Sequence, residues 1–284
     1  MTRTLRLAFS PDSDDLFMFW PLLTGRVAHP GFDLEHVRLD TETLNHRAAD
    51  GDLDVAAISI ARYPAIAQDY LLLPHGGSVG RGYGPVVVTR EPRALDALEG
   101  ARIAVPGPHT TAYLVLRLLL PRFEAVVVPI TPYARVFDAL RGGEVDAALL
   151  IHEGRLTYER EGFARVVDLG EAWAARTGGL PLPLGGNAIR RGLGDDVPRI
   201  SAWLRESIAW ALEHREEMID ALAAAESRPD VALTRAQLDR YLAMYANDDT
   251  CWYPDDARRA VDELYLQGAA AGLLPEGARA SWAA

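Results

Sequence analysis

The sequence predicts an α/β protein built of two similar lobes that face each other across a cleft. Three observations carry this reading. Short apolar runs with strand character alternate with stretches of three-to-four-residue apolar spacing along most of the chain. The segment "LNHRAADGDLDVAAISI" (residues 44–60) matches "VFDALRGGEVDAALLIH" (residues 136–152): a helix, a glycine-bearing turn, an Asp, then a buried strand. Ahead of each copy lies the same kind of opening, "LRLAFSPDSDD" (residues 5–15) and "ARIAVPGPHTT" (residues 101–111), where a strand meets a proline-containing loop that starts a helix.

The elements are taken in chain order. "LRLAF" is a strand, "DDLFMFWPLLTG" a helix, "DLEHVRL" a strand, "TLNHRAADG" a helix ended by Gly51, and "DVAAIS" a strand of small and apolar residues. "SVGRGYG" (residues 78–84) has the look of a phosphate-gripping loop, but it is followed by the strand "PVVVTR" where dinucleotide or Walker chemistry needs a helix. It reads as a flexible loop at the cleft edge or hinge. The second copy runs "RIAVP", "TTAYLVLRLLL", "AVVVPI", "VFDALRGG" and "VDAALLI". "RTGGLPLPLGGN" (residues 176–187), rich in Gly and Pro, fits a second hinge crossing without a regular helix. Two later stretches, residues 198–218 and 255–274, have helical apolar spacing, and Trp203 and Trp210 on the first read as packing residues. The expected division is residues 1–88 with 187–284 as the first lobe and residues 89–186 as the second.

Composition narrows the function. A chain of 284 residues with 49% hydrophobic content has ample core. Its 29 Lys and Arg stand against 40 Asp and Glu, a net charge of −11, and the basic residues form no stripe, so nucleic acid is not expected as a partner. Cys251 is the single cysteine, which excludes a disulfide framework or thiolate metal cluster. The start lacks the apolar stretch of a secretory signal, and no run reaches the ~18 apolar residues of a membrane span. A cytoplasmic protein with no membrane partner is the expectation. The spacings of a zinc site or a serine hydrolase are missing, so no metal is expected. "DSDD" at residues 12–15 is too short for a calcium loop, and Asp14 or Asp15 reads better as a helix cap.

Ligands of open α/β sheets bind beyond the carboxyl ends of the strands. The residues there are Ser10, Asp15 and Ser59 from the first lobe, and Gly107, Thr110, Thr111, His152 and Glu153 from the second. His152 comes after a buried strand with no turn residue between. The scaffold therefore holds its ring in one place while leaving it reachable, as a proton-transfer group requires, although a structural histidine can sit there too. Ser59 ends the corresponding strand of the first copy and should face His152 across the cleft. Thr110 or Thr111 stands where an N-cap belongs, and the free amides of that helix favour an anion. His109 reads as exposed, and Glu153 as either a steering group or a solvated neighbour.

On these residues the chain resembles the menaquinone-biosynthesis family that holds 1,4-dihydroxy-6-naphthoate synthase and chorismate dehydratase of the futalosine route, and more closely the synthase branch. The stretches that carry the resemblance are "GRGYGPVVVTR", "VPGPHTTAYL", "LLIHEGRLTY" and "VVDLGEAWAARTGGLPLPLGGNAIRR". The resemblance implies a type II periplasmic-binding-protein-like fold with two hinge strands. It implies a carbon–carbon or carbon–oxygen lyase that needs no cofactor and acts on a small anionic substrate, cyclic dehypoxanthine futalosine, with His152 as general base. Ser59, Thr110 and Thr111 would line the pocket. The alternatives are chorismate dehydration and a solute-binding protein without catalysis. The chain departs from the family in its first loop, where Asp12, Ser13 and Asp14 replace the Cys-Pro-Asn of the synthases, and around Asn247, where a glycine-bearing turn is missing. Extra carboxyl groups beside an anionic substrate would be unfavourable unless they point away or cap the helix.

Overall fold

The computed structural model describes residues 3–28, 31–225 and 233–284. In chain order the first part holds β1 (Arg3–Phe9), α1 (Ser13–Leu23), β2 (Phe32–Arg38), α2 (Thr41–Arg47), β3 (Val55–Ser59), β4 (Tyr70–Leu72) and β5 (Ser78–Gly80). Next come β6 (Val86–Thr89), β7 (Arg102–Val105), α3 (Thr111–Leu119), β8 (Glu124–Val127), α4 (Ala134–Arg141), β9 (Ala147–Leu150), α5 (Gly154–Thr157), β10 (Ala164–Asp168) and α6 (Leu169–Thr177). The chain ends with β11 (Leu182–Arg190), α7 (Val197–Glu213), α8 (Arg215–Ala224), α9 (Arg235–Tyr245), α10 (Asp248–Cys251) and α11 (Asp255–Ala270).

These strands form two sheets, ordered β2-β1-β3-β11-β4, with β5 also on β11, and β10-β6-β9-β7-β8. Strands β1, β2 and β3 run parallel, as do β7, β8 and β9, while β11 in one sheet and β6 in the other run antiparallel to their neighbours. The central strands β3 and β9 are buried along their whole length. That is why "VAAIS" and "AALL" read as continuous apolar runs without alternation.

The duplication extends to individual atoms. Asp54 donates its backbone N–H to Arg6 O and accepts the Arg6 N–H on its carboxylate at 2.9 Å. Asp146 does the same with Arg102, donating to its carbonyl and accepting its N–H at 2.9 Å. Each Asp of the repeat thus fastens the start of its inner strand to the opening strand of the same unit.

By sheet membership the chain passes from the first sheet to the second between Gly80 and Val86, and back between Asp168 and Leu182. Both changes fall earlier than the boundaries expected at residues 88 and 187. Where the chain crosses, Gly84 and Gly170 lie so close that a Cβ on either would overlap backbone of the other segment. The "SVGRGYG" stretch leads into the crossing between the sheets, in keeping with the hinge position expected, but it is tied down rather than loose. Its first three residues are β5, Arg81 is clamped between the Asp249 and Asp256 carboxylates, and the Tyr83 hydroxyl donates to Met244 O at 2.6 Å. "RTGGLPLPLGGN" begins inside α6, contrary to the expectation of no helix, and continues as β11, the long strand shared with the first sheet.

The C-terminal helices pack on elements from the first part of the chain and on β11. Helix α1 packs on α7, with Ser207 Oγ donating to Met18 O at 2.6 Å, and the Tyr265 hydroxyl of α11 donates to Ile60 O at 2.9 Å. Trp203 is buried in this core, and Trp210 stacks on His214. Among the described residues no helix is long and apolar enough to cross a membrane.

Candidate active site

The cleft between the two sheets is lined from both sides, by Ser10, Asp14, Asp15, Thr41 and Ser59 from the first lobe and by Thr110, Thr111 and His152 from the second, with Tyr241 and Tyr245 of α9 closing it. Of the residues expected at the site, Ser10, Asp15, Ser59, Thr110, Thr111 and His152 come together there. Gly107 stands apart from the lining. It packs against α2, where a Cβ would overlap the Glu42 carboxylate.

His152 lies two residues beyond the end of β9 and holds a left-handed backbone, φ 51°, rare for a residue with a side chain. Strain of this kind persists where the surroundings impose it. The ring there meets Asp12, fully buried, whose Oδ2 lies 2.5 Å from His152 Nδ1. The other ring nitrogen, Nε2, lies 3.4 Å from Thr41 Oγ1 at the cleft wall. One nitrogen is therefore anchored and the other faces the ligand space. Burial pushes the imidazole pKa down, but the Asp12 charge and its contact with the ring, helped by Asp14 and Glu153, outweigh this and raise it to about 9. An imidazole with its ordinary pKa near 6.5 is thus not what this environment favours.

The carboxylates of the first loop have separate tasks. Neither Asp14 nor Asp15 caps α1, correcting the expectation. Asp14 accepts from Ser78 Oγ at 2.7 Å and from the Tyr241 hydroxyl at 3.0 Å. Asp15 accepts the Ser10 N–H at 2.7 Å. Burial, then the charges of Asp14 and Asp12, push its pKa up to about 8, which favours the protonated, uncharged carboxyl far more than an ordinary aspartate would. Glu153 is buried rather than solvated, and it accepts from Ser13 N at 3.2 Å and Ser13 Oγ at 3.0 Å across the lobes. Asp12, His152 and Glu153 bring ligand-type atoms within 4.8 Å of one another, but His152 Nδ1 is already committed to Asp12.

On the opposite wall, Ser59 and Asn45 hold each other through two hydrogen bonds, Asn45 Nδ2 to Ser59 Oγ at 3.0 Å and Ser59 N to Asn45 Oδ1 at 2.9 Å. Thr110 is the N-cap of α3, accepting from Tyr113 N at 3.2 Å while donating to Gly107 O at 2.8 Å. Thr111 Oγ1 accepts from Ala61 N at 3.1 Å and donates to Leu184 O at 2.7 Å. Both hydroxyls thus organise the chain around the first turn of α3. His109, expected to be exposed, is instead held by Glu42, with Nδ1 2.5 Å from Oε1.

Sequence reasoning missed Asp12 as the partner of His152, and it missed Tyr241 and Tyr245. The tyrosines did leave a signal, two aromatics spaced i, i+4 on one helix face.

Residues 5–270 match the family model described as menaquinone biosynthesis. The chain belongs to that family. It is 43% identical over 270 residues to 1,4-dihydroxy-6-naphthoate synthase of Thermus thermophilus, covering 95% of each chain. It is 37% identical over 293 residues to the enzyme of the same name from Streptomyces coelicolor, covering 96% of this chain and 95% of that one. The alkanesulfonate-binding protein SsuA from Xanthomonas axonopodis pv. citri, solved bound to MOPS, shares the fold at a TM-score of 0.71, with 17% identity over 96% of this chain and 94% of its own. The menaquinone-biosynthesis family member described here therefore has the periplasmic-binding-protein-like α/β architecture with its residue-rich cleft between two sheets.

Proposed function

We propose that this family member is a 1,4-dihydroxy-6-naphthoate synthase, a lyase that converts cyclic dehypoxanthine futalosine with His152 as general base. The observation that carries this reading is the Asp12–His152 pair, one ring nitrogen on a buried carboxylate and the other at the cleft wall. Nε2 takes an acidic C–H proton of the sugar portion, the electron pair left on carbon forms a double bond as the bond to the bicycle breaks, and the pair of that bond leaves with the bicycle, which takes up a proton as it becomes aromatic. Asp12 stabilises the imidazolium as it forms. Among the described residues lining the cleft, His152 is the one basic side chain, and the amides at the start of α3 suit a small anionic substrate while the imidazole, once neutral, acts as the base. The protonated Asp15 and the Ser59 hydroxyl offer polar contacts that do not repel such a substrate.

The test is turnover of the purified protein on cyclic dehypoxanthine futalosine and on chorismate, with product followed by absorbance and mass. The synthase reading expects naphthoate from the first and nothing from the second. Turnover of chorismate would reassign the chain to dehydration, and tight binding of either compound without product would make it a binding protein.

A further inference from the structure

We propose that Glu42, His46 and His109 form a second site, outside the catalytic cleft, that takes a borderline divalent cation of the zinc class and joins the two lobes at the cleft rim. Glu42 and His46 stand one turn apart on the same face of α2, with His46 Nε2 3.4 Å from Glu42 Oε1. His109 comes from the other lobe, in the loop before α3, with Nδ1 2.5 Å from the same Glu42 oxygen. The two imidazole rings meet edge to face with centroids 4.6 Å apart. One ligand-type atom from each of the three residues lies within 4.8 Å of the others.

Two imidazoles and a carboxylate are a donor set that zinc accepts, and bond lengths of ~2.0–2.2 Å in tetrahedral geometry put ligand atoms roughly 3.3 Å apart. The Glu42–His46 separation already meets that figure. The Glu42–His109 contact, at 2.5 Å, is a hydrogen-bond distance, which an inserted cation would lengthen. Glu42 is preorganised, being buried and also facing the His109 backbone N–H at 3.3 Å, so little ordering remains to be done on binding. Its neighbours Thr41 and Leu44, and Thr110 beside His109, line the cleft itself. A cation held here would therefore favour the closed arrangement of the lobes without touching His152.

The test is calorimetric titration of the intact protein with zinc chloride in a non-chelating buffer. One saturating equivalent is expected, and His46→Ala and His109→Ala should each weaken it by at least about tenfold, since even partners of metal ligands are worth that much. His46 is exposed, so its variant should remain folded, which circular dichroism verifies. Cys251→Ser should bind as the parent does. Absence of saturable binding, or binding that survives both histidine replacements or disappears with Cys251, would overturn the site.

Discussion

At the scale of single residues, His152 and Asp12 decide the chemistry. Replacing His152 with Asn keeps a polar group and suits the left-handed backbone at φ 51° better than most residues would. Turnover of the protein that remains folded should fall by about 10²–10⁴-fold, and the melting temperature should fall as well, because buried Asp12 loses its cationic partner. Full activity in a folded variant would remove the histidine from the mechanism. The pH profile gives a second test. With the imidazole pKa raised to about 9, the neutral base is scarce at pH 7, so kcat/KM should climb with pH toward that value. Asp12→Asn should bring the midpoint down toward the ordinary ~6.5; an unmoved midpoint would discard the pairing. Stability has the same sign. Folding raises the affinity of His152 for its proton, so its contribution is complete below about 6.5 and is lost as pH rises through about 9. Asp15, raised from 3.8 to about 8, likewise makes the folded state less favourable as pH climbs between those values. Buried His75 acts on the acid side: burial lowers its pKa to about 4, and the stability it supports above 6.5 is lost as pH falls through that value.

At the scale of elements, the start of α3 is a junction. The Thr111 hydroxyl ties Ala61 N in the first lobe to Leu184 O at the start of β11. Thr111→Val keeps the shape but leaves the Ala61 N–H without its acceptor, which should cost roughly 1–3 kcal/mol in denaturant unfolding and weaken an anionic analogue as well. Unchanged unfolding would show that the strap is dispensable. Shortly before the Thr110 cap the backbone comes close to α2, and Gly107→Ala would drive a methyl group into Glu42. Overpacking of that kind costs about 1–3 kcal/mol, read as a lower melting temperature, and an unchanged melting curve would mean that the two lobes stand further apart in solution.

For the whole molecule, the contacts between lobes beside the cleft are polar: Asp12 with His152, Ser13 with Glu153, Ala61 with Thr111, and Glu42 with His109. Hydrogen bonds contribute about 0.5–1.5 kcal/mol net between neutral groups and about 1.5–3 kcal/mol to charged ones, and water can replace these partners when the lobes part, so such a set can open and close where an apolar interface would not. Small-angle scattering should show the radius of gyration decrease as a substrate analogue saturates the protein. A profile that does not change at saturation would argue against hinged lobes.

The sequence by itself determined the α/β class, the duplication and the place of His152, because these depend on local periodicity and on the residues directly after each buried strand. Asp54 and Asp146 were readable as equivalents since each acts on its own unit. Tertiary structure alone decided what the acidic loop does. Asp12 looked like any loop carboxylate until β9, far along the chain, delivered His152 against it, and Asp14 found Ser78 and Tyr241 rather than a helix end to cap. The same holds for Tyr245 at the cleft, for the points where the chain changes sheets, and for the meeting of Glu42 with His109. Periodicity records which side of an element is buried, but a charge's partner and its pKa depend on what long-range closure places beside it.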